Sequence, residues 1–299
     1  MTARIPPTAA FAAACLGIAI FSCMDAVMKA LSIAIGAYNA MLWRSLIGVL
    51  LNIMLFVGTG QRWPDRATLW LHARRSGAAG LSVLLFFWGL VRVPMAEGVA
   101  LTFLSPVVAL LLAAPLLGER IRRGAIIAST LAIAGVLVIV AGKAEAGADT
   151  RALSGSAAIL CASLLYAYSL VLMRRSALVA GPIEITFFMH LCFALLYAPV
   201  APVLAVPPAA RYWPALGAAA ALASLSSLLI AWAYAHAEAQ RLVVVEYTAF
   251  PWAALLGAVV FGERVLPVTV AGAALIVAGC LIAARDRDAG IGPMSEAAA

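Results

Sequence analysis

The chain has 299 residues, of which 65% are hydrophobic and 11% are charged, and its mean hydropathy is +1.06. A soluble globular protein is about half apolar and about one quarter charged, so this composition excludes a water-soluble protein and indicates an integral membrane protein. The formal net charge of +7 is then expected mainly in loops on the cytoplasmic side of the membrane. It does not indicate a nucleic-acid-binding protein, because the sequence has no basic soluble segment interleaved with aromatic residues.

Ten apolar runs are each long enough to cross a bilayer as a helix, which takes about 20 residues. In chain order these runs cover 8–30, 38–57, 74–92, 96–117, 122–142, 154–173, 182–203, 213–236, 240–261 and 266–284. The longest connections, at 58–73, 143–153 and 204–212, contain Pro or Gly and leave little room for a soluble domain. We therefore predict an all-α membrane protein with ten transmembrane helices and a disordered cytoplasmic tail at 285–299.

The cysteines all lie in apolar runs, and none forms a Cys-x-x-Cys pair. We interpret them as small, buried hydrophobic side chains and not as disulfides or metal ligands. Neither a metal site nor a cofactor is expected. The cysteines are Cys15, Cys23, Cys161, Cys192 and Cys280.

One segment occurs twice in the chain. The first copy reads Leu-Thr-Phe-Leu-Ser-Pro at 101–106 and continues through apolar residues to Gly-Glu-Arg at 118–120. The second copy reads Glu-Tyr-Thr-Ala-Phe-Pro at 246–251 and continues to Gly-Glu-Arg at 262–264. The two prolines are 145 positions apart, and the same offset aligns further residues in both halves of the chain. A match sustained in this way indicates an internal duplication.

The duplication divides the chain into a first five-helix repeat at 1–145 and a second at 146–284. Because five is odd, the first helices of the two repeats run in opposite directions, and a pseudo-two-fold axis in the membrane plane relates the repeats. With the N-terminus in the cytoplasm, 13 Lys and Arg residues fall on the cytoplasmic side and 6 fall outside, which predicts that both termini are cytoplasmic. Inverted repeats are characteristic of secondary transporters, whose substrate sites lie between the repeats near the midplane.

The duplicated proline and Gly-Glu-Arg segments resemble the drug/metabolite transporter superfamily, and specifically its EamA-type ten-helix members. The resemblance covers about residues 8–284. It implies a basket-like arrangement in which helices one, three, four, six, eight and nine line a central cavity, braced by helices five and ten, with transport that uses no ATP. Within the superfamily, the chain is most similar to bacterial exporters of aromatic amino acids.

The candidate substrate-binding residues lie on the helices that the resemblance assigns to the cavity. Aromatic side chains suit a planar ring, although Trp and Tyr near helix ends also form interfacial belts. A carboxylate in the ninth helix either binds an α-ammonium group, couples transport to protons, or pairs with Arg241. The candidates are Trp88, Phe103, Ser163, Tyr166, Trp232, Glu246 and Tyr247.

Pro106 and Pro251 interrupt the helical hydrogen-bond ladder, because proline lacks an N–H and crowds the carbonyl four residues earlier. Their symmetric placement makes them candidate hinges, with a static kink as the alternative. We interpret the two Gly-Glu-Arg triplets as structural turns, with their charged residues at the lipid headgroups and no contact with substrate.

Three ionisable residues inside apolar runs are candidates for coupling or gating, because charges in a membrane are costly and usually functional or paired. Asp25 either pairs with Lys29 one turn later or acts at an outer gate. Arg44 reaches Asp25, extends to the interface, or pairs with a substrate carboxylate, and Trp43 beside it faces lipid. His190 either hydrogen-bonds a neighbouring helix or shuttles protons.

Together these features predict a bacterial inner-membrane transporter that exports aromatic and other apolar amino acids by alternating access of a central cavity. An efflux carrier for another metabolite or drug is the alternative within this class. An intramembrane enzyme is disfavoured because His190 has no catalytic motif nearby, and a channel is disfavoured by the paired prolines. The expected partners are a small-molecule substrate and the lipid bilayer, with no nucleic acid. Small residues in helices five and ten favour bracing within a monomer, and a dimer interface is the alternative.

Overall fold

The computed structural model describes residues 7–117, 123–145, 149–236, 245 and 247–288, and in these residues all regular secondary structure is helical. This confirms the all-α prediction. The α-helices are α1 (Pro7–Ile35), α2 (Ala37–Gly58), α3 (Arg66–Leu90), α4 (Met95–Thr102), α5 (Leu104–Leu117), α6 (Arg123–Glu145), α7 (Thr150–Val179), α8 (Pro182–Tyr197), α9 (Ala201–Leu204), α10 (Trp213–His236), α11 (Ala249–Phe261) and α12 (Pro267–Asp288).

Five helical stretches of the described chain are long and apolar enough to cross a bilayer. They are Phe11–Ile35, Ala37–Gly58, Thr150–Met173, Pro182–Leu204 and Ala210–Ile230. Shorter apolar helical segments are Met95–Ala109, Ser129–Gly142, Ala249–Phe261 and Pro267–Gly279. The protein is therefore a multi-pass membrane protein, and the total of ten crossings stays a prediction.

The third helix begins eight residues earlier than its apolar run predicted. The Asp65 carboxylate caps α3 by accepting a hydrogen bond from the Thr68 N–H at 2.8 Å, as Asp at this position commonly does. Hydrogen bonding with Thr68 also lowers the pKa of the Asp65 carboxyl. Hydropathy missed this start because the first turns of α3 are rich in Arg and polar residues.

The predicted fourth helix is divided by a break at Phe103, so that α4 ends at Thr102 and α5 begins at Leu104. The second repeat has a matching break, where 247–248 form a turn and α11 begins at Ala249. In both cases the new helix begins two residues before the duplicated proline. Proline has no N–H to donate and crowds the carbonyl four residues earlier in the helix. These two effects explain both breaks.

The predicted seventh helix also ends earlier than its apolar run. Helix α8 stops at Tyr197 and is followed by a 3₁₀ turn at Ala198–Val200 and the four-residue α9. Prolines lie in the first turn of both short elements, where the missing N–H costs least. The last helix continues through Asp288, past the predicted start of the tail at 285.

The most extensive helix packing joins helices from opposite halves of the chain. Helix α1 packs against α10, while α7, the first helix of the second half, packs against α3. Helices α6 and α12, which end the two halves, pack against each other. Buried apolar side chains of α1, α3, α4 and α7, including Met28, Leu90, Met95, Leu101 and Ile159, form the main core between these pairs.

Two glycines permit the close packing of α6 against α12. A Cβ atom added to Gly135 would lie 2.5 Å from the Gly272 carbonyl oxygen, and one added to Gly272 would lie 2.6 Å from the Gly135 carbonyl oxygen. This close approach confirms that small residues of these helices pack within the monomer, as small residues do at membrane helix interfaces.

The structure corrects the expectation that the cysteines are buried. Cys23 and Cys161 are exposed at the surface of the helical bundle, and Cys15 and Cys192 are partly exposed. All four are free thiols. Cys280 lies in α12, and its side chain lies outside the described residues.

Candidate functional site

The two helix breaks meet in the interior of the bundle. The rings of Phe103 and Tyr247 pack edge to face, with centroids 5.3 Å apart and an interplanar angle of 88°. Phe103 is buried and Tyr247 is half-buried. The hydroxyl of Ser163 donates to the carbonyl oxygens of Leu101 at 3.2 Å and Ile159 at 2.9 Å, which attaches α7 to the last turn of α4. The structure thus brings three of the predicted substrate-binding residues to the two breaks.

The remaining described aromatic candidates lie toward the surface of the bundle. Trp88 is 40% exposed, Tyr166 is 42% exposed and Trp232 is 37% exposed. The guanidinium of Arg92 lies 3.4 Å from the Trp88 ring centroid, so this ring already has a cationic partner. Glu246 lies outside the described residues.

The three predicted coupling residues lie on α1, α2 and α8, and α2 packs against both of the other helices. Asp25, Arg44 and His190 are buried, at 6%, 3% and 0% exposure. Arg44 interacts electrostatically with both Asp25 and His190, and also with Tyr197. Tyr197 is fixed because its hydroxyl donates to the Gly80 carbonyl oxygen at 2.7 Å.

His190 does not make the hydrogen bond to a neighbouring helix that was expected of it. Both ring nitrogens are buried without a hydrogen-bond partner among the described residues. The imidazole instead packs against the backbone of α2 at Gly48, where an added Cβ atom would lie within 2.2 Å of Nδ1. Gly48 therefore makes the space that His190 occupies.

Lys29 does not pair with Asp25, contrary to the local i,i+4 prediction. Its ammonium group donates to the Glu263 carboxylate and, at 2.8 Å, to the Val93 carbonyl oxygen. The second Glu263 oxygen accepts from the Met95 N–H at 2.6 Å. This network joins α1, the α3–α4 turn and the α11–α12 turn.

The same network corrects part of the interpretation of the Gly-Glu-Arg triplets. Gly262 does end α11 with a left-handed φ of 65°, as predicted for a structural turn. Glu263, however, is only 19% exposed and bonds within the bundle instead of lying at the headgroups. The first triplet, at 118–120, lies outside the described residues.

Sequence reasoning also missed a polar contact at the opposite end of α3. His72 lies in the predicted connection at 58–73, yet its imidazole is fully buried and lies 3.0 Å from the Glu184 carboxylate. The ring also stacks on Phe188, with centroids 5.0 Å apart. Its position before the apolar run suggested a loop, and the Asp65 cap was the available signal that His72 is helical.

Trp43 does not simply face lipid, as expected from its position beside Arg44. Its indole N–H donates to the Val206 carbonyl oxygen at 3.0 Å, and its ring packs edge to face on Trp213 at 5.4 Å. Trp43 therefore connects α2 to the loop that follows α9 and to the start of α10.

The two halves of the chain each match the same family model, described as the EamA-like transporter family, at residues 8–141 and 153–285. The chain belongs to the EamA-like transporter family. This confirms the resemblance seen in the duplicated segments and identifies the protein as a membrane transporter.

Three exporters or transporters from bacteria are similar to this chain over most of their length. The pseudopaline exporter CntI of Pseudomonas aeruginosa (strain UCBPP-PA14) is 27% identical over 269 residues, covering 89% of this chain and 93% of the relative. A probable terminal-alkyne amino-acid exporter of Streptantibioticus cattleyicolor is 30% identical over 223 residues, covering 70% and 71%. A riboflavin transporter of Brucella anthropi is 26% identical over 250 residues, covering 82% and 86%.

A solved crystal structure has the same fold as this chain. It superposes with a TM-score of 0.60 at 22% identity and covers 94% of this chain and 99% of the solved chain. At this identity the likeness establishes the fold alone.

Proposed function

We propose that this protein exports aromatic and other apolar amino acids across the bacterial inner membrane by alternating access of a central cavity. The observation that carries the proposal is the Phe103–Tyr247 pair, which lies where two proline-broken helices meet. An edge-to-face pair can separate to admit a third ring with favourable aromatic contacts. The amino-acid exporter among the relatives supports the substrate class.

The proposed architecture is ten spans in two inverted repeats, with both termini cytoplasmic. The exchanged packing of α1 on α10 and α7 on α3 is what a two-fold relation between the halves predicts. The matching breaks before Pro106 and Pro251 support the same relation. In inverted-repeat transporters, paired interruptions lie at the substrate site and one repeat rocks against the other. We assign the two prolines to the hinges of this movement.

The first test is exchange of labelled Phe, Trp and Tyr by the purified protein in proteoliposomes. We expect saturable exchange with counterflow, which a channel would not show. Phe103→Ala and Tyr247→Ala should each reduce exchange at least tenfold. Trp70→Ala, which removes an aromatic ring that is 65% exposed, is the matched control and should retain wild-type exchange. Exchange no faster than in empty vesicles would refute the aromatic substrate.

A second candidate substrate class is another metabolite, including a larger planar one. It is favoured by relatives that export pseudopaline or transport riboflavin at 26–27% identity, close to the identity of the amino-acid exporter. The exchange panel should therefore include riboflavin, nucleobases and cationic dyes. Saturable transport of one of these, without transport of amino acids, would replace the proposed substrate and leave the carrier mechanism in place.

Coupling to a proton gradient is proposed through Glu246, with Asp25 as the second candidate acid. Carboxylates inside a membrane commonly belong to proton relays, and Glu246 lies in the predicted ninth apolar run at 240–261. Glu246→Gln should abolish the dependence of net export on a pH gradient while exchange continues. If the variant keeps that dependence, Glu246 has no coupling role, and an export rate independent of pH in the wild type would favour facilitated diffusion.

A further inference from the structure

Arg44 is buried in the bundle with poor compensation for its charge. Its side chain is 3% exposed, and its Nη1 group contacts the Met24 thioether sulfur at 3.5 Å, a weak acceptor. The Nε–H has no hydrogen-bond partner among the described residues. A guanidinium has five N–H donors, so this arrangement leaves strong donors facing the protein interior.

Other buried polar groups of α2 and α8 also lack hydrogen-bond partners among the described residues. Both nitrogens of His190 and the hydroxyl of Ser45 are buried and without hydrogen bonds in the described part of the chain. Buried polar groups are nearly always satisfied in native proteins, and a cluster of exceptions calls for a ligand, water or ion that satisfies them. Within a membrane the cost of leaving them unpaired is especially high.

The absence of an ion pair between two buried groups of opposite charge indicates what kind of ligand completes the cluster. Asp25 and Arg44 interact electrostatically, yet no ion pair within 4.0 Å joins them, although both residues are described. An anion alone would bind Arg44 and repel Asp25, while a cation alone would do the reverse. A zwitterion with adjacent carboxylate and ammonium groups satisfies both.

We propose that Arg44 and Asp25 form a head-group site for α-amino acids, with the carboxylate bound by the Arg44 guanidinium and the ammonium group bound by Asp25. The planar guanidinium fork binds a carboxylate through two parallel hydrogen bonds. The His190 ring supplies a further N–H donor for the carboxylate. This inference rests on the proposed function, because it specifies the chemical group by which the exporter recognises its substrates.

The position of α1 connects this site to the helix breaks. Asp25 lies in α1, which packs against α2, where Arg44 lies, and also against α11, which follows the turn at Tyr247. Met24, Phe103 and Tyr247 all pack in the same apolar core. Helix α1 thus connects the head-group site to the aromatic pair.

The test compares phenylalanine with two analogues that each lack one charged group, phenethylamine and 3-phenylpropionate. Each is measured as an inhibitor of labelled phenylalanine exchange and as a ligand that raises the thermal unfolding temperature of the full-length protein in detergent. With the wild type, both analogues should be at least tenfold weaker than phenylalanine. Arg44→Gln should abolish the preference for phenylalanine over phenethylamine, and Asp25→Asn should abolish the preference over 3-phenylpropionate.

Arg75→Gln is the matched control. Arg75 is likewise 3% exposed with an unpartnered Nε, but it donates to the Ser76 hydroxyl and the Ile185 carbonyl oxygen. Its removal should lower stability and leave the ligand preferences unchanged. Arg44→Lys, which keeps the charge and loses the fork, should restore part of the preference for a carboxylate.

The outcomes separate this site from the proposed function. Aromatic exchange by the wild type with no preference for the carboxylate would overturn the site and leave the function standing. The same conclusion follows if Arg44→Gln binds phenylalanine within threefold of the wild type. Stabilisation by leucine and phenylalanine through Arg44, without exchange of aromatic amino acids, would support the site and refute the aromatic function. An absence of any response to amino acids would overturn both.

Discussion

Lys29 in α1 pairs with Glu263, which lies 234 positions later in the turn between α11 and α12. Lys29 is the more deeply buried partner, at 3% side-chain exposure against 19% for Glu263. Hydrogen bonds from Lys29 to Val93 and from Met95 to Glu263 complete the network. The pair therefore connects the two halves of the chain at one end of the bundle.

The two single neutralisations of this pair should have unequal effects on stability. Glu263→Gln leaves the buried Lys29 ammonium uncompensated, which should reduce the free energy of unfolding by about 3 kcal/mol. Lys29→Met leaves a carboxylate that is partly exposed and still accepts from Met95, so the loss should be smaller. Thermal and denaturant unfolding in detergent would measure both, and equal losses would contradict the asymmetry.

Opening of the bundle at the Lys29 end should require this pair to separate. Ala96 is buried and follows Met95, whose N–H bonds to Glu263, so a cysteine placed there reports on opening. In a chain without its native cysteines, Ala96→Cys should react with a membrane-impermeant maleimide about tenfold faster when Glu263→Gln is added.

Glu184→Gln provides the matched control for the labelling experiment. It removes the carboxylate that contacts His72. His72 lies about 27 Å along α3 from Leu90, at the end of the bundle opposite the Lys29–Glu263 pair. We expect labelling at Ala96→Cys to stay at its original rate in this background. Equal acceleration by both variants would mean that general destabilisation, and not the Lys29–Glu263 pair, controls access.

Replacement of either duplicated proline should slow transport without a loss of stability. Pro106→Ala and Pro251→Ala restore an N–H to the helical ladder and favour continuous helices across the breaks. We expect at least a fivefold lower exchange rate in proteoliposomes, with an unchanged or higher unfolding temperature. Pro207→Ala, in an exposed loop, is the control. Wild-type exchange in both hinge variants would indicate static kinks.

The contact between α6 and α12 should tolerate no added side chain. Gly135→Ala and Gly272→Ala each place a methyl group within 2.6 Å of a backbone carbonyl oxygen on the partner helix, which should cost about 2 kcal/mol through overpacking. Gly217→Ala in α10 has no heavy atom within 4 Å of the added group and should cause no loss. The free energy of unfolding distinguishes the two classes, and equal values for all three variants would contradict this account.

Much of the architecture was accessible from the sequence because the relevant signals are local. Hydropathy predicts which segments are helical and enter the membrane, since each residue reports its own transfer energy. The repeated segment located both helix breaks, because proline acts on the carbonyl four residues earlier in the same helix. Hydropathy missed the start of α3, which the Asp65 cap determines. It also missed the end of α8, after which prolines begin two short helical elements.

The candidate site was predicted only in part, because side-chain partners depend on contacts between distant segments. Phe103 and Tyr247 were both chosen as aromatic residues near the breaks, but no pattern in the chain indicated that their rings touch. For Lys29, the i,i+4 rule favoured Asp25, since that rule sees only the same helix. His72 lies in the predicted connection at 58–73, and its polar neighbours along the chain gave no sign of its burial against Phe188.

The sequence by itself therefore determined the membrane environment, the duplication, the positions of the helix breaks and the family. These follow from composition and from backbone effects that act within a few residues. Only the tertiary structure decided that Lys29 bonds to Glu263 and that His190 fills the space beside Gly48. It alone also decided that Asp25 and Arg44 are both buried without forming an ion pair. The physical reason is that ion pairs and hydrogen bonds act over a few ångströms, so their partners are chosen by how the helices of the two halves pack.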